Sequence, residues 1–208
     1  MQPTRHKRGP ARHELPTGSK RALQNSNTAP CRPSPLPPFP PHTCTHIRIY
    51  AGGDTEPIVG RIIANSAPPP SPSSIGTKCH PSQPGGLSPA GIDSQLETSL
   101  AALSLPSVGE LYLHQPDPSN SLLDSLRTLD TLHKAGKITA IGLSNYHASE
   151  VQRAFDLCAA HSLTPPTVYQ GIYSPLNRLV EDELLPILRT NGCSFVAYVR
   201  ERSEPVHM

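Results

Sequence analysis

The chain has 208 residues, enough for one good-sized domain, and a formal net charge of +2. Its 26 prolines, lack of tryptophan and aromatic content of 4% are unusual for a compact domain. The sequence contains no apolar run of the length that a secretory signal or a membrane span needs. Its five scattered cysteines lack CxxC spacing and favour a reducing, cytoplasmic setting with free thiols over a disulfide scaffold.

The first 45 residues differ from the rest in composition. They hold ten prolines and seven Lys or Arg, against Glu14 as their single acid. Such a segment cannot bury enough apolar surface to offset its ordering entropy, so we predict a disordered basic head over residues 1–45. Its Arg5–Arg8 run, RHKR, is interpreted as part of a solvated tail, and no nucleic-acid partner is expected. The HTCTH stretch, residues 42–46, lacks a fourth ligand nearby, so no metal site is predicted.

From residue 46 to residue 208, short apolar segments alternate with helical patterns, and we predict one domain there. In chain order the predicted elements are strand Ile47–Tyr50, helix Asp54–Asn65, strand Ser74–Lys78, helix Ser88–Leu105, strand Glu110–His114, helix Ser121–Lys137, strand Ile138–Ser144, helix Ala148–His161, strand Thr167–Tyr173, helix Glu181–Gly192 and strand Ser194–Val199. Strands that alternate with helices indicate a parallel sheet with helical crossovers.

The predicted helices carry local signals as well as apolar stripes. Ser88 is placed as an N-cap, Gly136 as a C-terminal glycine, and Pro186 is expected to interrupt the last helix. The inward-facing residues are predicted as Ile58, Val59 and Ile62 in the first helix, Ile92, Leu96, Leu100 and Leu103 in the second, Leu122, Leu126, Leu129 and Leu132 in the third, and Val151, Phe155 and Cys158 in the fourth.

Polar residues stand at or just past the carboxyl ends of the predicted strands. They are Tyr50, Lys78, His114, Ser144 and Gln170, with separations of 28, 36, 30 and 26 residues. Each separation is close to one βα unit of an eight-unit barrel, in which such residues face the catalytic mouth. No GxGxxG motif follows a strand, so a classical dinucleotide crevice is not supported.

Several stretches resemble one enzyme family. YAGGDTEPIVG, SQLETSL, LYLHQPD, GLSNY and PTVYQGIY, within Tyr50–Tyr198, are similar to the aldo-keto reductases, and most similar to the branch of aflatoxin-aldehyde and succinic-semialdehyde reductases. GLSNY followed at this distance by VYQGIY is a quite specific match. The resemblance implies a partial (β/α)8 TIM barrel with about six of eight strands. It also implies NADPH-dependent reduction of aldehydes or ketones to alcohols.

The resemblance also implies roles for individual residues. Tyr50 resembles the family's general acid, Lys78 its partner, and His114 the group that orients the substrate carbonyl. The implied cofactor residues are Ser144, Asn145 and Gln170, which hold the nicotinamide carboxamide, and Tyr173, which stacks under the nicotinamide ring.

These residue types suit the implied chemistry. Hydride transfer to a carbonyl carbon leaves negative charge on oxygen, which a donor must protonate. A tyrosine pKa near 10 is poorly matched to this task at neutral pH, and a nearby ammonium lowers it. A decrease of ~2–3 units corresponds to ~3–4 kcal/mol of differential stabilisation.

Two departures from the family bear on activity. Thr45 stands where the family has an aspartate, five residues before the catalytic tyrosine. The first and last barrel strands have no counterpart, which leaves two strand edges open. Two interpretations remain: a carbonyl reductase acting on small molecules, or a non-catalytic subunit or incomplete gene product. The predicted partner is a second copy of the chain or another strand at an open edge, and no membrane partner is expected. The sequence does not determine the substrate.

Overall fold

The computed structural model describes residues 44–45, 53–67 and 70–198. The predicted head, apart from Cys44–Thr45, and the predicted strand Ile47–Tyr50 lie outside the described residues. Tyr50 is therefore without a described position. The disordered head and the domain boundary after residue 45 remain predictions.

The described residues form alternating strands and helices. The strands are β1 Cys44–Thr45, β2 Ile75–Cys79, β3 Val108–Leu113, β4 Ile138–Ser144, β5 Val168–Ile172 and β6 Ser194–Tyr198. The helices are α1 Thr55–Ala64, α2 Pro89–Leu103, α3 Leu122–Lys134, α4 Ala148–His161 and α5 Leu184–Thr190, and a short 3-10 turn, Pro72–Ser74, precedes β2. None of the described helices combines the length and apolar character needed to cross a membrane.

The sheet has six strands in sequence order, and every neighbouring pair is parallel. One helix connects each strand to the next, as in the βα units of a barrel. This confirms the predicted fold class, a partial (β/α)8 barrel with six strands. The two-residue strand β1, Cys44–Thr45, lies within the stretch that the sequence analysis assigns to the head.

Strand side chains alternate between a helix-facing side and a barrel-facing side. In β3, Leu111 and Leu113 are buried towards the helices, while Glu110 and Tyr112 lie on the other face. The apolar core between sheet and helices includes Cys79, Ile92, Leu96, Leu103, Leu111, Leu113, Leu126, Leu129, Ile141, Leu143, Val151 and Phe155. The predicted stripe of α2 is fully buried. In α3, Leu126 and Leu129 are buried and Leu122 and Leu132 partly so.

The predicted inward face of α1 is wrong for Ile58 and Ile62, whereas Val59 is partly buried against the core. Ile58 and Ile62 are 42% and 59% exposed, and the buried residues are Glu56, Gly60 and Ile63. A Cβ on Gly60 would lie 2.3 Å from the Ala102 carbonyl oxygen at the end of α2. Because this close approach requires glycine, it fixes the rotation of α1 and turns the two isoleucines outward.

Helix termini follow their local signals. The Ser88 side chain accepts a hydrogen bond from the Gly91 N–H at the start of α2. Gly136 has φ of +71° directly after α3, as predicted for a C-terminal glycine. The expected interruption at Pro186 is wrong, because α5 begins at Leu184 and places the proline in its first turn, where no intrahelical N–H is needed.

Candidate active site

The sheet is rolled so that side chains of β2 and β5 meet across its inner face. The Lys78 ammonium on β2 donates a hydrogen bond to the Gln170 side-chain oxygen on β5. In a flat sheet these two strands, separated by β3 and β4, would lie about 14 Å apart. The contact therefore shows a strongly curved sheet, with both side chains inside the barrel near the carboxyl ends of their strands.

Lys78 lies in a largely dry environment. It is 8% exposed, and its Nζ atom lies 5.5 Å from the centroid of the Tyr112 ring. Burial lowers the pKa of Lys78 to about 8, and the negative charge of Glu110 opposes that decrease. Near neutral pH the amine therefore still carries its proton, but releases it more readily than an exposed lysine does.

Glu110 is a buried carboxylate that the site prediction did not include. It is 5% exposed and accepts a hydrogen bond of 2.6 Å from the Tyr112 hydroxyl. Gly142 on β4 leaves room for the Tyr112 ring, because a Cβ at position 142 would lie 2.3 Å from a ring atom. The alternation of Glu110, Tyr112 and His114 in GELYLH is the signal that could have placed this carboxylate on the same face as the histidine.

Replacing Glu110 with glutamine is expected to lower the pKa of Lys78 below its wild-type value. The substitution removes the charge that favours the ammonium, and a glutamine oxygen can still accept from Tyr112. Titration of lysine labelled with ¹³C at Cε, followed by NMR, measures this pKa. Glu97→Gln, on the exposed side of α2, serves as the matched control. An unchanged Lys78 titration in the Glu110 variant would show that the carboxylate does not act on the amine.

His114 follows β3 directly, and hydrogen bonds hold its backbone on both sides. Its N–H donates to the Cys79 carbonyl at 2.9 Å, and its carbonyl accepts from the Asn145 side chain at 2.9 Å. The buried Nδ1 atom has no hydrogen-bond partner among the described residues. Burial, with smaller contributions from Lys78 and His80, lowers the pKa of His114 to about 4, so the imidazole is neutral at pH 7.

Ser144 and Asn145 end β4 beside His114. Asn145 has φ of +60°, a left-handed conformation that asparagine tolerates better than most residues. Its amide nitrogen donates to the Ser144 hydroxyl at 3.0 Å, and its side-chain oxygen accepts from the Tyr198 hydroxyl at 2.8 Å. Ser144 is paired with Gln170 in the β4–β5 register. These three predicted cofactor residues therefore lie together at one end of the barrel.

The Tyr173 side chain has other partners, although its backbone N–H donates to the Tyr198 carbonyl at 3.3 Å. Its hydroxyl donates to Glu181 at 2.6 Å, and its ring packs edge-on against Phe195, with centroids 6.0 Å apart. Phe195 itself stacks on Tyr169, which is buried on the helix-facing side. The stacking role of Tyr173 remains a prediction that no described contact supports. Tyr198 at the end of β6 reaches the site instead, through Asn145. Tyr198 was not among the predicted site residues, although it lies in the last predicted strand.

The structure describes only the backbone at Thr45. The β1–β2 register opposes Thr45 to Gly76, which lies two residues before Lys78 on β2. Positions 76 and 78 share a strand face. By backbone register, Thr45 and Lys78 therefore belong to the same face of neighbouring strands.

A groove of about 700 Å³ opens beside the site, over the carboxyl ends of β3 and β4. Asn145 is the predicted site residue that lines it, along with the loop of Gln115 to Asn120 and the start of α4. Its volume suits a small organic ligand.

Comparisons with known proteins agree with this architecture. The family model for the aldo/keto reductase family matches residues 47–200. The chain is 42% identical over 150 residues to aflatoxin B1 aldehyde reductase member 4 of Homo sapiens, covering 72% of this chain and 45% of that protein. It is 40% identical over 150 residues to aflatoxin B1 aldehyde reductase member 2 of Rattus norvegicus, covering 72% of this chain and 41% of that protein.

A fungal relative matches over the same extent. Oxidoreductase sirO of Leptosphaeria maculans is 36% identical over 151 residues, covering 73% of this chain and 44% of that protein. The match to this chain thus spans less than half the length of each of these three relatives. The family model covers most of the chain, and the parallel sheet in sequence order agrees with it. The chain therefore belongs to the aldo/keto reductase family.

Proposed function

We propose that this chain carries the carbonyl-reducing site of an NADPH-dependent oxidoreductase that converts aldehydes or ketones to alcohols. The observation that carries the proposal is the convergence of Lys78, Gln170, His114 and Asn145 at one end of a rolled parallel sheet. Two of the relatives described above are named as aldehyde reductases.

The described residues fit a nicotinamide. A carboxamide needs both donors and acceptors, and the side chains of Ser144, Asn145 and Gln170 offer both within one cluster. The Tyr198 hydroxyl donates to the Asn145 side-chain oxygen and so helps to orient Asn145. NADPH would supply the hydride, while the protein orients and polarises the substrate.

The catalytic residues divide the remaining work. Lys78, protonated near neutral pH, would lower the pKa of the Tyr50 hydroxyl, the proposed proton donor. His114 is neutral at that pH, so its imidazole would donate one N–H to the substrate oxygen and would add no positive charge beside Lys78. This N–H would hold the carbonyl in direction and stabilise the negative charge that develops on its oxygen.

The proposal is tested by mixing the full chain with NADPH and 4-nitrobenzaldehyde and following absorbance at the cofactor's band. Oxidation of NADPH dependent on the aldehyde supports it, and a parallel experiment with NADH tests the choice of cofactor. If no nucleotide binds even at millimolar concentration, as judged by NADPH fluorescence, this chain is not a working reductase.

Restoring a carboxylate at position 45 is expected to increase activity. An aspartate opposite Gly76, on the strand beside Lys78, should favour the ammonium and raise its pKa by about one unit. We expect Thr45→Asp to raise kcat/KM by about twofold at pH 8, where about half of the wild-type amine is deprotonated. Thr45→Asn has similar size without charge and should behave like the wild type. Equal activity of the two variants would contradict this role.

A non-catalytic binding or subunit protein is the second candidate. The absence of the family's aspartate at position 45 favours this candidate, because Thr45 carries no charge and the hydrogen-bond partner of Lys78, Gln170, is an amide. Within the described strands, β6 pairs with β5 alone, which leaves an edge for a homodimer or a partner strand. This candidate predicts no turnover and, in the dimer case, a concentration-dependent mass in sedimentation experiments.

We also propose a cytoplasmic location. Cys79, Cys158 and Cys193 are buried free thiols, as expected in a reducing compartment. Localisation of a tagged full-length chain by microscopy tests this proposal, and a secreted or organellar signal would contradict it.

A further inference from the structure

The His114 imidazole is held by surprisingly few contacts of its own. Both hydrogen bonds of the residue belong to its backbone, and its buried Nδ1 has no partner among the described residues. The ring contact that the described structure gives it is with His80, whose centroid lies 4.7 Å away at an interplanar angle of 64°. Such edge-to-face packing restricts ring rotation where no hydrogen bond does.

His80 is itself fixed by its neighbours. Its Nδ1 atom accepts from the Ser82 N–H at 3.0 Å and lies 2.7 Å from the Ser82 hydroxyl oxygen. Its own backbone N–H donates to the Gln95 side chain on α2 at 2.8 Å. Because Nδ1 accepts from a backbone N–H, neutral His80 carries its proton on Nε2. A ring anchored in this way has a fixed position, so it can restrict the rotation of the His114 ring that packs against it.

We propose that His80 is a positioning residue of the reductive site, holding the His114 ring in the orientation that aims its N–H at the substrate oxygen. The inference rests on the proposed function. His80 lies two residues beyond Lys78, just past the end of β2, so it brings a second imidazole to the same mouth. Nothing in its contacts places it against substrate, so it acts through His114.

The position of His80 also affects the protonation of His114. Burial is the main cause of the lowered pKa of His114, and Lys78 from β2 and His80 from the loop after it are the titratable groups among the described residues that lower it further. Each disfavours the imidazolium. Removing the His80 ring hydrates His114 and takes away one of these charges, so the pKa of His114 should rise towards its ordinary value.

The experiment compares His80→Ala with His80→Phe in the full chain. The alanine variant removes the ring, while phenylalanine keeps a ring of similar width and the backbone hydrogen bond to Gln95 but loses the titrating nitrogen and its contacts with Ser82. We expect His80→Ala to lower kcat/KM about tenfold, chiefly through kcat, because a misdirected donor weakens transition-state contacts. His80→Phe should retain kcat/KM within about threefold of the wild type.

Imidazole NMR provides a readout that does not depend on turnover. The His114 resonances are assigned by their loss in His114→Gln and titrated in each variant. His80→Ala should shift them and raise the His114 pKa, while the signals of His133 on α3 and His161 on α4 stay in place as internal controls of folding.

The outcomes separate the two claims. If His80→Ala is folded and leaves the His114 resonances unchanged, the positioning role is overturned. It is also overturned if the resonances move in an active enzyme while kcat/KM stays the same. If the wild type shows no reductase activity, the proposed function fails, and the NMR comparison alone then decides whether His80 holds His114.

Discussion

Replacing Lys78 with methionine is expected to lower kcat/KM for aldehyde reduction by about 10²–10⁴-fold. Methionine keeps an unbranched side chain of similar length in a site that is 8% exposed, so packing should change little. What is lost is the ammonium that would acidify the Tyr50 hydroxyl, together with its hydrogen bond to Gln170. Steady-state kinetics with NADPH and 4-nitrobenzaldehyde measure the effect.

The matched control is Lys137→Met. Lys137 is exposed directly after Gly136 and lies at the opposite end of β4 from the site, so its loss should leave kcat/KM unchanged. NADPH fluorescence titration distinguishes loss of chemistry from loss of cofactor binding. A Lys78 variant that keeps more than a tenth of wild-type kcat/KM would refute the proposed role of the amine.

Replacing Asp130 with alanine is expected to destabilise the fold by about 2–4 kcal/mol. Asp130 is 6% exposed on α3 and accepts from the backbone N–H and hydroxyl of Thr164, at 2.9 and 2.8 Å, and from Lys134 at 2.7 Å. It therefore joins α3 to the loop between α4 and β5. Alanine would leave the Thr164 donors without their acceptor. Urea unfolding followed by circular dichroism measures the free energy of unfolding.

Asp124→Ala is the control, because its ion pair with Arg127 is half exposed and should contribute less than about 1 kcal/mol.

The pH dependence of unfolding gives a second test of the role of Asp130. Burial alone would raise the pKa of Asp130, but hydrogen bonds from Lys134 and Thr164 outweigh it and lower that pKa to about 2.

A carboxylate whose folded pKa lies below its unfolded value stabilises the protein above the unfolded pKa. That stabilisation is lost as pH falls from about 4 towards 2. Asp130→Asn should therefore differ from the wild type most at pH 5 and least at pH 2. A difference in unfolding free energy that does not depend on pH would contradict the assigned pKa.

Much of the fold follows from local sequence signals. The predicted strand Ile138–Ser144 and helix Ala148–His161 have the bounds found in the structure. The N-cap at Ser88 and the left-handed Gly136 also agree, because capping and positive φ are properties of a few adjacent residues. The α1 face failed for the opposite reason: contact of Gly60 with the end of α2, more than forty residues away, sets which side is buried.

The candidate site divides in the same way. The sequence by itself determined the strand-end positions of Lys78, His114, Ser144 and Gln170, because strand–helix alternation and the family motifs fix them. Their contacts could not be read from spacing. The Lys78–Gln170 hydrogen bond joins residues 92 apart and exists only because the sheet rolls.

Tertiary structure alone also decided which neighbours tune the site. It placed the Glu110 charge near Lys78, the His80 ring against His114 and the Tyr198 hydroxyl on Asn145. Each of these pairs forms across separate strands or loops, so its geometry depends on strand pairing and sheet curvature and not on local propensity. The sequence chose the chemical groups and the order of the strands, and the curvature of the sheet decided which groups meet.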